Sequence, residues 1–217
     1  MLNADHKAFI KAIQAASGRQ RASEVLADFA HMAACEIRAP LAISGKSEIV
    51  ADWKRTRANY TDEEYAYLVE ASQILIASLE ERREEFLGAC MEELGATNTH
   101  NGQFLTPVSI SQMLGRILLD DPRDEVITLH DPCCGCGVLL IEGAEEALKR
   151  GWKQHNLCIV AGDIDGRALD MCYTQLSLLG YAGAVKHMDA LTQEQFGETM
   201  YTPGWFLHGF PMRGIAA

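Results

Sequence analysis

Up to about residue 95 the apolar positions recur at helical spacing; beyond residue 102 short apolar runs alternate with helical stretches. Ala8-Phe9-Ile10, Ile13 and Ala16 fall three or four apart and predict a helix that Gly18 can stop. Val25-Leu26, Phe29-Ala30, Met32-Ala33 and Ile37 predict a second helix, opened near Ser23 and ended before Pro40. The third has the clearest start. Thr61-Asp62-Glu63-Glu64 places a hydroxyl at the cap and a Glu three residues on, the capping-box pattern. Tyr65, Leu68, Ala71, Leu75-Ile76 and Leu79 then line one face, and the helix is expected to run on through Phe86 to Glu93, with Gly95 as its stop. Within it the mixed-sign run 80–85 reads as a solvated face.

The second half has a different rhythm. A helix is predicted from Pro107 through Leu119, then a strand at Val126-Ile127-Thr128-Leu129 and a helix over 139–150. A second strand, Leu157-Cys158-Ile159-Val160-Ala161, ends at Gly162-Asp163. A helix over 167–179 stops at Gly180, and Ala184-Val185-Lys186-His187 forms a third strand ending near Asp189. Strands alternating with helices imply an α/β fold with a parallel sheet and right-handed crossovers. The expected division is a helical part over residues 1–97 and a cofactor-binding part over 98–217, with the turn-rich stretch 95–102 between them.

Composition narrows the function classes. The 217 residues are 48 % apolar, enough for a sizeable core. The formal charge of −11 is spread along the chain and no basic tract stands out, so nucleic-acid binding would need help from another subunit. Trp53, Lys54, Arg55 and Arg57 form the one locally basic, aromatic patch, and a helix rim packed by the Trp is the simpler account of it. No uncharged apolar stretch reaches the length of a membrane span, and the opening residues lack the basic and apolar regions of a signal peptide. Seven cysteines, several in apolar or helical settings, suit a reduced cytoplasmic protein.

Candidate chemistry gathers at the predicted strand ends. Asp131-Pro132-Cys133-Cys134-Gly135-Cys136-Gly137 follows the first strand and opens a helix. Glycines there let the backbone turn tightly and let a ligand approach the main chain. Three cysteines in four residues also raise a metal reading. They have no second ligand pair at zinc spacing, and adjacent cysteines suit a tetrahedral site poorly, so no metal site is expected. In an open parallel sheet, ligands sit beyond the carboxyl ends of the strands, and Asp131, Asp163 and Asp189 each follow a different one. Asp163 ends the second strand, where a carboxylate can read ribose hydroxyls, and Ile164 beside it can cover one face of an adenine.

Three segments taken together, Gly102-Gln103-Phe104-Leu105-Thr106-Pro107, the Asp131–Gly137 loop and Gly162-Asp163-Ile164-Asp165, resemble the cofactor motifs of N6-adenine DNA methyltransferases. In pattern the chain is similar to the modification subunits of type I restriction-modification systems. The family loop usually reads Asp-Pro-Ala-Cys-Gly-Ser-Gly, so Cys133 and Cys136 stand here for Ala and Ser. The resemblance, over roughly residues 102–190, implies a shortened Rossmann-like S-adenosylmethionine-dependent methyltransferase sheet preceded by an all-helical N-terminal domain. It implies that Phe104, Thr106 and Pro107 hold the methionine end of S-adenosylmethionine together with Asp131, Pro132, Cys133, Gly135 and Gly137. Asp163 would then bind the ribose, Ile164 would pack on the adenine, and Asp189 would meet the adenine amine.

The resemblance also exposes a gap. Family members that transfer methyl groups carry Asn or Asp, then Pro-Pro, then an aromatic residue that stacks on a flipped adenine. This sequence has no Pro-Pro pair, and Thr202-Pro203-Gly204-Trp205 occupies the corresponding region. No catalytic residue is therefore assigned. Two expectations follow: an adenine-N6 DNA methyltransferase-like protein of a modification system, or a catalytically silent cofactor binder that acts as regulator, mimic or partner subunit. DNA, a modification-complex subunit or a second copy of the chain are the expected partners; an exposed third or fourth strand would offer the edge for pairing.

Overall fold

The computed structural model describes residues 2–95 and 106–210. Five helices come first: α1 Ala4–Ala15, α2 Ala22–Arg38, α3 Lys46–Arg57, α4 Asp62–Glu81 and α5 Leu87–Glu93. Then follow α6 Val108–Leu118, β1 Ile127–Asp131, α7 Val138–Lys149, β2 Leu157–Asp163, α8 Gly166–Leu178, β3 Ala182–His187, β4 Met200–Tyr201 and α9 Pro203–Leu207. The capping box holds: the Thr61 hydroxyl accepts from the Glu64 amide at 3.2 Å, and the Glu64 carboxylate accepts from the Thr61 amide at 2.8 Å.

The long third helix does not run through to Glu93. Arg82 takes an extended conformation, and the chain restarts as α5 after Phe86. Two side chains explain the break. Glu85 turns inward and caps α5, accepting from the Gly88 and Ala89 amides, and Arg83 reaches Glu145 on α7 at 2.8 Å. The run 80–85 is thus a joint between elements instead of a solvated helix face.

The sheet order is β1-β2-β3-β4, with the first three strands parallel and the short β4 antiparallel to β3. Among the described residues the sheet has two edges, β1 at one side and the two-residue β4 at the other. One sheet face carries Leu157, Ile159, Ala161 and Val185 into a core beneath α7 and α8. Cys158, Ala182 and Ala184 face the opposite way, against Trp205 and Phe210. β4 and α9 have too few residues to show a period, which is why the sequence pattern misses them.

The helical half packs directly on the sheet half, chiefly α2 on α8, and one apolar cluster runs from Phe9 through Phe86 to Tyr181. The expected boundary near residue 97 lies among the residues outside the description. At the junction a buried amide does the joining. Gln175 on α8, with no exposed surface, accepts from the Phe86 and Leu87 amides at 2.7 and 2.9 Å. Its amide nitrogen donates to Glu85 and to the Cys136 carbonyl, each at 3.1 Å. Helix α5 and the glycine loop therefore hang on the same side chain.

Candidate cofactor site

The loop between β1 and α7 is fixed at three points. The Cys133 amide donates to the Asp131 carboxylate at 3.0 Å, the Cys134 amide to the Gly162 carbonyl at 2.9 Å, and the Gly135 amide to the Asp163 carboxylate at 2.7 Å. Gly135 and Gly137 adopt φ of +53° and +94°, the left-handed region that glycine reaches without cost. A Cβ on Gly137 would also stand 2.7 Å from the Cys172 Sγ. Gly162 is close-packed as well: a Cβ there would meet the Met188 Sδ at 3.0 Å and the Pro132 carbonyl at 3.4 Å. The glycines are required by the tight approach of loop, β2 and α8.

Hydrogen bonds carry the other two acids alongside. The Met188 amide donates to the Asp163 carbonyl at 2.9 Å, which extends the β2–β3 pairing and sets Asp189 next to the end of β2. Asp189 then holds its own turn, accepting from the Leu191 and Thr192 amides at 2.8 and 3.3 Å. All three carboxylates are felt at one atom. Desolvation, and after it the charges of Asp163, Asp131 and Asp189, push the thiol of the exposed Cys133 up from its ordinary range. Asp131, Asp163 and Asp189 thus converge around the head of the loop, as their positions at strand ends predict.

Each of the other loop cysteines has a separate packing role. Cys136 is buried with its sulfur 3.6 Å from the Met91 Sδ and 3.7 Å from the Met171 Sδ. A hydrogen bond with Cys172, then burial, raises the Cys134 thiol well above its usual range. The three side chains of Cys133, Cys134 and Cys136 go to solvent, to α8 and to the methionine sulfurs respectively, so they do not converge on a common ligand.

Most of the remaining candidates are in view. Ile164 is 62 % exposed beside Asp163, with its carbonyl 3.0 Å from His187 Nε2. Pro132 is exposed on the loop, and Thr106 and Pro107 stand at the head of α6, which packs on the loop's own helix α7. Phe104 lies outside the described residues. Two residues central to the loop escape the sequence reading, Gln175 and Glu85. A glutamine in the apolar register of Cys172, Leu176 and Leu179 is the only signal that could have pointed to the first. Burial pushes the Glu85 carboxyl up to about 7, against the hydrogen bonds it accepts from Gly88, Gln175 and Ala89.

The model of the N-6 DNA Methylase family matches residues 84–203, more than half of the 217. The chain belongs to this family. Among curated proteins and solved structures no match was found. The matched span begins at the Glu84-Glu85 joint, before α5, so the family segment includes the last piece of the helical half. It ends at Pro203, the first residue of α9. No helix among the described residues is long and apolar enough to cross a membrane.

At the end of the match two side chains are committed to the interior of the fold. The Thr202 hydroxyl is used up inside the fold, accepting from the Gly183 amide at 2.8 Å and donating to the Tyr181 carbonyl at 2.6 Å. Trp205 is buried against Tyr201 and Phe210, with ring centroids 4.9 and 5.2 Å away. Both side chains are buried.

Proposed function

We propose that this member of the N-6 DNA Methylase family binds S-adenosylmethionine at the β1–β3 strand ends and serves adenine-N6 methylation of DNA within a modification system. The observation that carries the reading is the Asp163 carboxylate, which accepts from the Gly135 amide on one oxygen and from the Asp165 amide, at 2.9 Å, on the other. That single side chain shapes the loop and keeps a free lone pair on each oxygen for hydroxyl donors. The donor set suits the cofactor's chemistry. Asp131 and the Gly135–Gly137 backbone would hold the amino-acid end, Asp163 the ribose, Ile164 the adenine face and Asp189 the adenine amine; Phe104, Thr106, Pro107, Pro132 and Cys133 complete the assignment. S-adenosylmethionine bound there supplies a sulfonium-activated methyl group. The chain's own contribution is alignment and exclusion of water.

Equilibrium dialysis with radiolabelled S-adenosylmethionine tests this. Saturable binding is expected, with Asp163→Ala and Asp189→Ala each weakening it at least about tenfold, the loss of a charge-assisted hydrogen bond. No saturable binding by the folded wild-type chain would refute the assignment.

A second reading, a catalytically silent partner subunit, is favoured by the burial of Trp205 and the internal use of Thr202. The β1 edge, unpaired among the described residues, and the exposed apolar residues Ile117 and Leu118 on α6 offer a surface for another subunit or a second copy. Methyl transfer to unmethylated plasmid DNA by the isolated chain would sink this second reading. Cofactor binding without transfer, with activity appearing on addition of a partner subunit, would support it.

A further inference from the structure

On the core side of the glycine loop, one side chain holds the peptide group that joins its last two residues. Gln175 on α8 has no exposed surface. Its oxygen accepts from the Phe86 and Leu87 amides, and its nitrogen donates to the Glu85 carboxylate and to the Cys136 carbonyl. Two lone pairs and two N–H groups are all that a glutamine amide has, so the set is complete. The Cys136 carbonyl and the Gly137 amide belong to one planar peptide group. That plane is fixed at both ends, by Gln175 at the carbonyl and, at the amide, by the Cys134 carbonyl 2.9 Å from the Gly137 nitrogen. The nearby Gly135 amide is held by Asp163. Two side chains from outside the loop therefore set its backbone, and they differ in kind. Asp163 is assigned to the ligand itself, whereas Gln175 is buried behind the loop.

Resting on the cofactor assignment above, we propose that Gln175 is a positioning residue for S-adenosylmethionine: it fixes the Cys136–Gly137 peptide, so that the loop meets the amino-acid end of the cofactor already ordered. A loop ordered in advance spares that cost at the moment of binding. An apolar side chain would fill the same space, in the register of Cys172, Leu176 and Leu179, without the desolvation of an amide. What the amide adds is the joining of two buried backbone segments, the start of α5 and the glycine loop. The ionisable groups of this network are Glu85, whose carboxyl burial raises to about 7, and Glu142 on α7, 3.5 Å from the Glu85 amide. Glu85, the α5 amides, the loop and Gln175 all lie within the span of the family match.

Gln175→Glu tests the hydrogen bond while keeping the shape of the side chain and its acceptor for the Phe86 and Leu87 amides. When ionised, the new carboxyl cannot donate to the Cys136 carbonyl; as the neutral acid, which burial and the neighbouring Glu85 favour, it has one proton to give. Amide hydrogen exchange is followed by mass spectrometry on the cofactor-free full-length chain, in the loop (131–138) and in β2 (157–163). Rates are taken at about pH 5.5 and about pH 8, each relative to wild type at the same pH. At the higher pH the variant should exchange at least about tenfold faster in the loop with β2 unchanged, and the gap should narrow at the lower pH. Equilibrium dialysis with radiolabelled S-adenosylmethionine should show a loss of affinity at the higher pH that shrinks in the same way. Equal loop exchange in the two proteins overturns the positioning role. So does a change shared equally by the loop and β2, the mark of a general loss of stability. Faster loop exchange with unchanged affinity overturns the link to the cofactor. No saturable binding by the wild type refutes the cofactor assignment and this proposal with it; the loop exchange tells that failure apart from a failure of Gln175 to order the loop.

Discussion

At the scale of single residues the glycine loop shows what its sequence reveals and what it hides. Gly137 is readable as a turn residue, but its tight fit is not, because the neighbour that crowds it, Cys172, is 35 positions away on α8. Gly137→Ala is expected to destabilise the fold by about 1–3 kcal/mol, since alanine at φ +94° is strained and its Cβ would meet the Cys172 sulfur. Gly137→Ala/Cys172→Ala removes the contact and leaves the strain, so the double variant should be more stable than additive losses predict. Urea unfolding of the two single variants and the double variant checks this; strict additivity would mean the contact is irrelevant. Cys136 makes the complementary point. As a small residue at a family serine position it looks interchangeable, yet its sulfur sits against those of Met91 and Met171, and that environment comes from α5 and α8.

At the scale of elements, the three parallel strands and the acids at their ends were legible because period, length and punctuation agree there. The α4–α5 break was not. A glutamate in a run of charges looks like helix surface until the fold shows that Glu85 is 6 % exposed and caps α5. Its burial gives a pH signature. The folded-state value of about 7 lies above the ordinary 4.5, so the folded chain holds a proton that the unfolded chain releases between those values. The Glu85 contribution to stability is therefore fully present below about pH 4.5, declines as pH rises through 7, and is lost above it. Glu85→Gln, which keeps an acceptor for the Gly88 amide and cannot ionise, should flatten this component. Unfolding free energies of wild type and Glu85→Gln at pH 5, 6, 7 and 8 measure it. The difference between the proteins should shift in the variant's favour as pH rises; a constant difference would show that Glu85 does not titrate in this window.

For the whole molecule, the question is whether the helical half and the sheet half behave as one unit. One buried apolar cluster spans both, and polar contacts cross between them: Arg83 to Glu145, His31 to Asp170, and Gln175 to the Phe86 and Leu87 amides. The last is the most consequential, because its partners are buried backbone groups. Gln175→Leu has similar bulk and strands the Phe86 and Leu87 amides together with the Cys136 carbonyl. At about 1 kcal/mol or more for each orphaned group, the variant should lose at least about 3 kcal/mol. Coupling predicts more than a loss of stability. In the wild type, urea unfolding followed by far-UV circular dichroism, dominated by helix, and by fluorescence of a Trp53→Phe chain, whose remaining tryptophans lie in the sheet half, should give one midpoint. In Gln175→Leu the two probes should separate, as α5 lets go of the glycine loop before the sheet opens. Separate midpoints already in the wild type would mean that the two halves fold independently, and the shared core would then be a docking surface between two stable bodies.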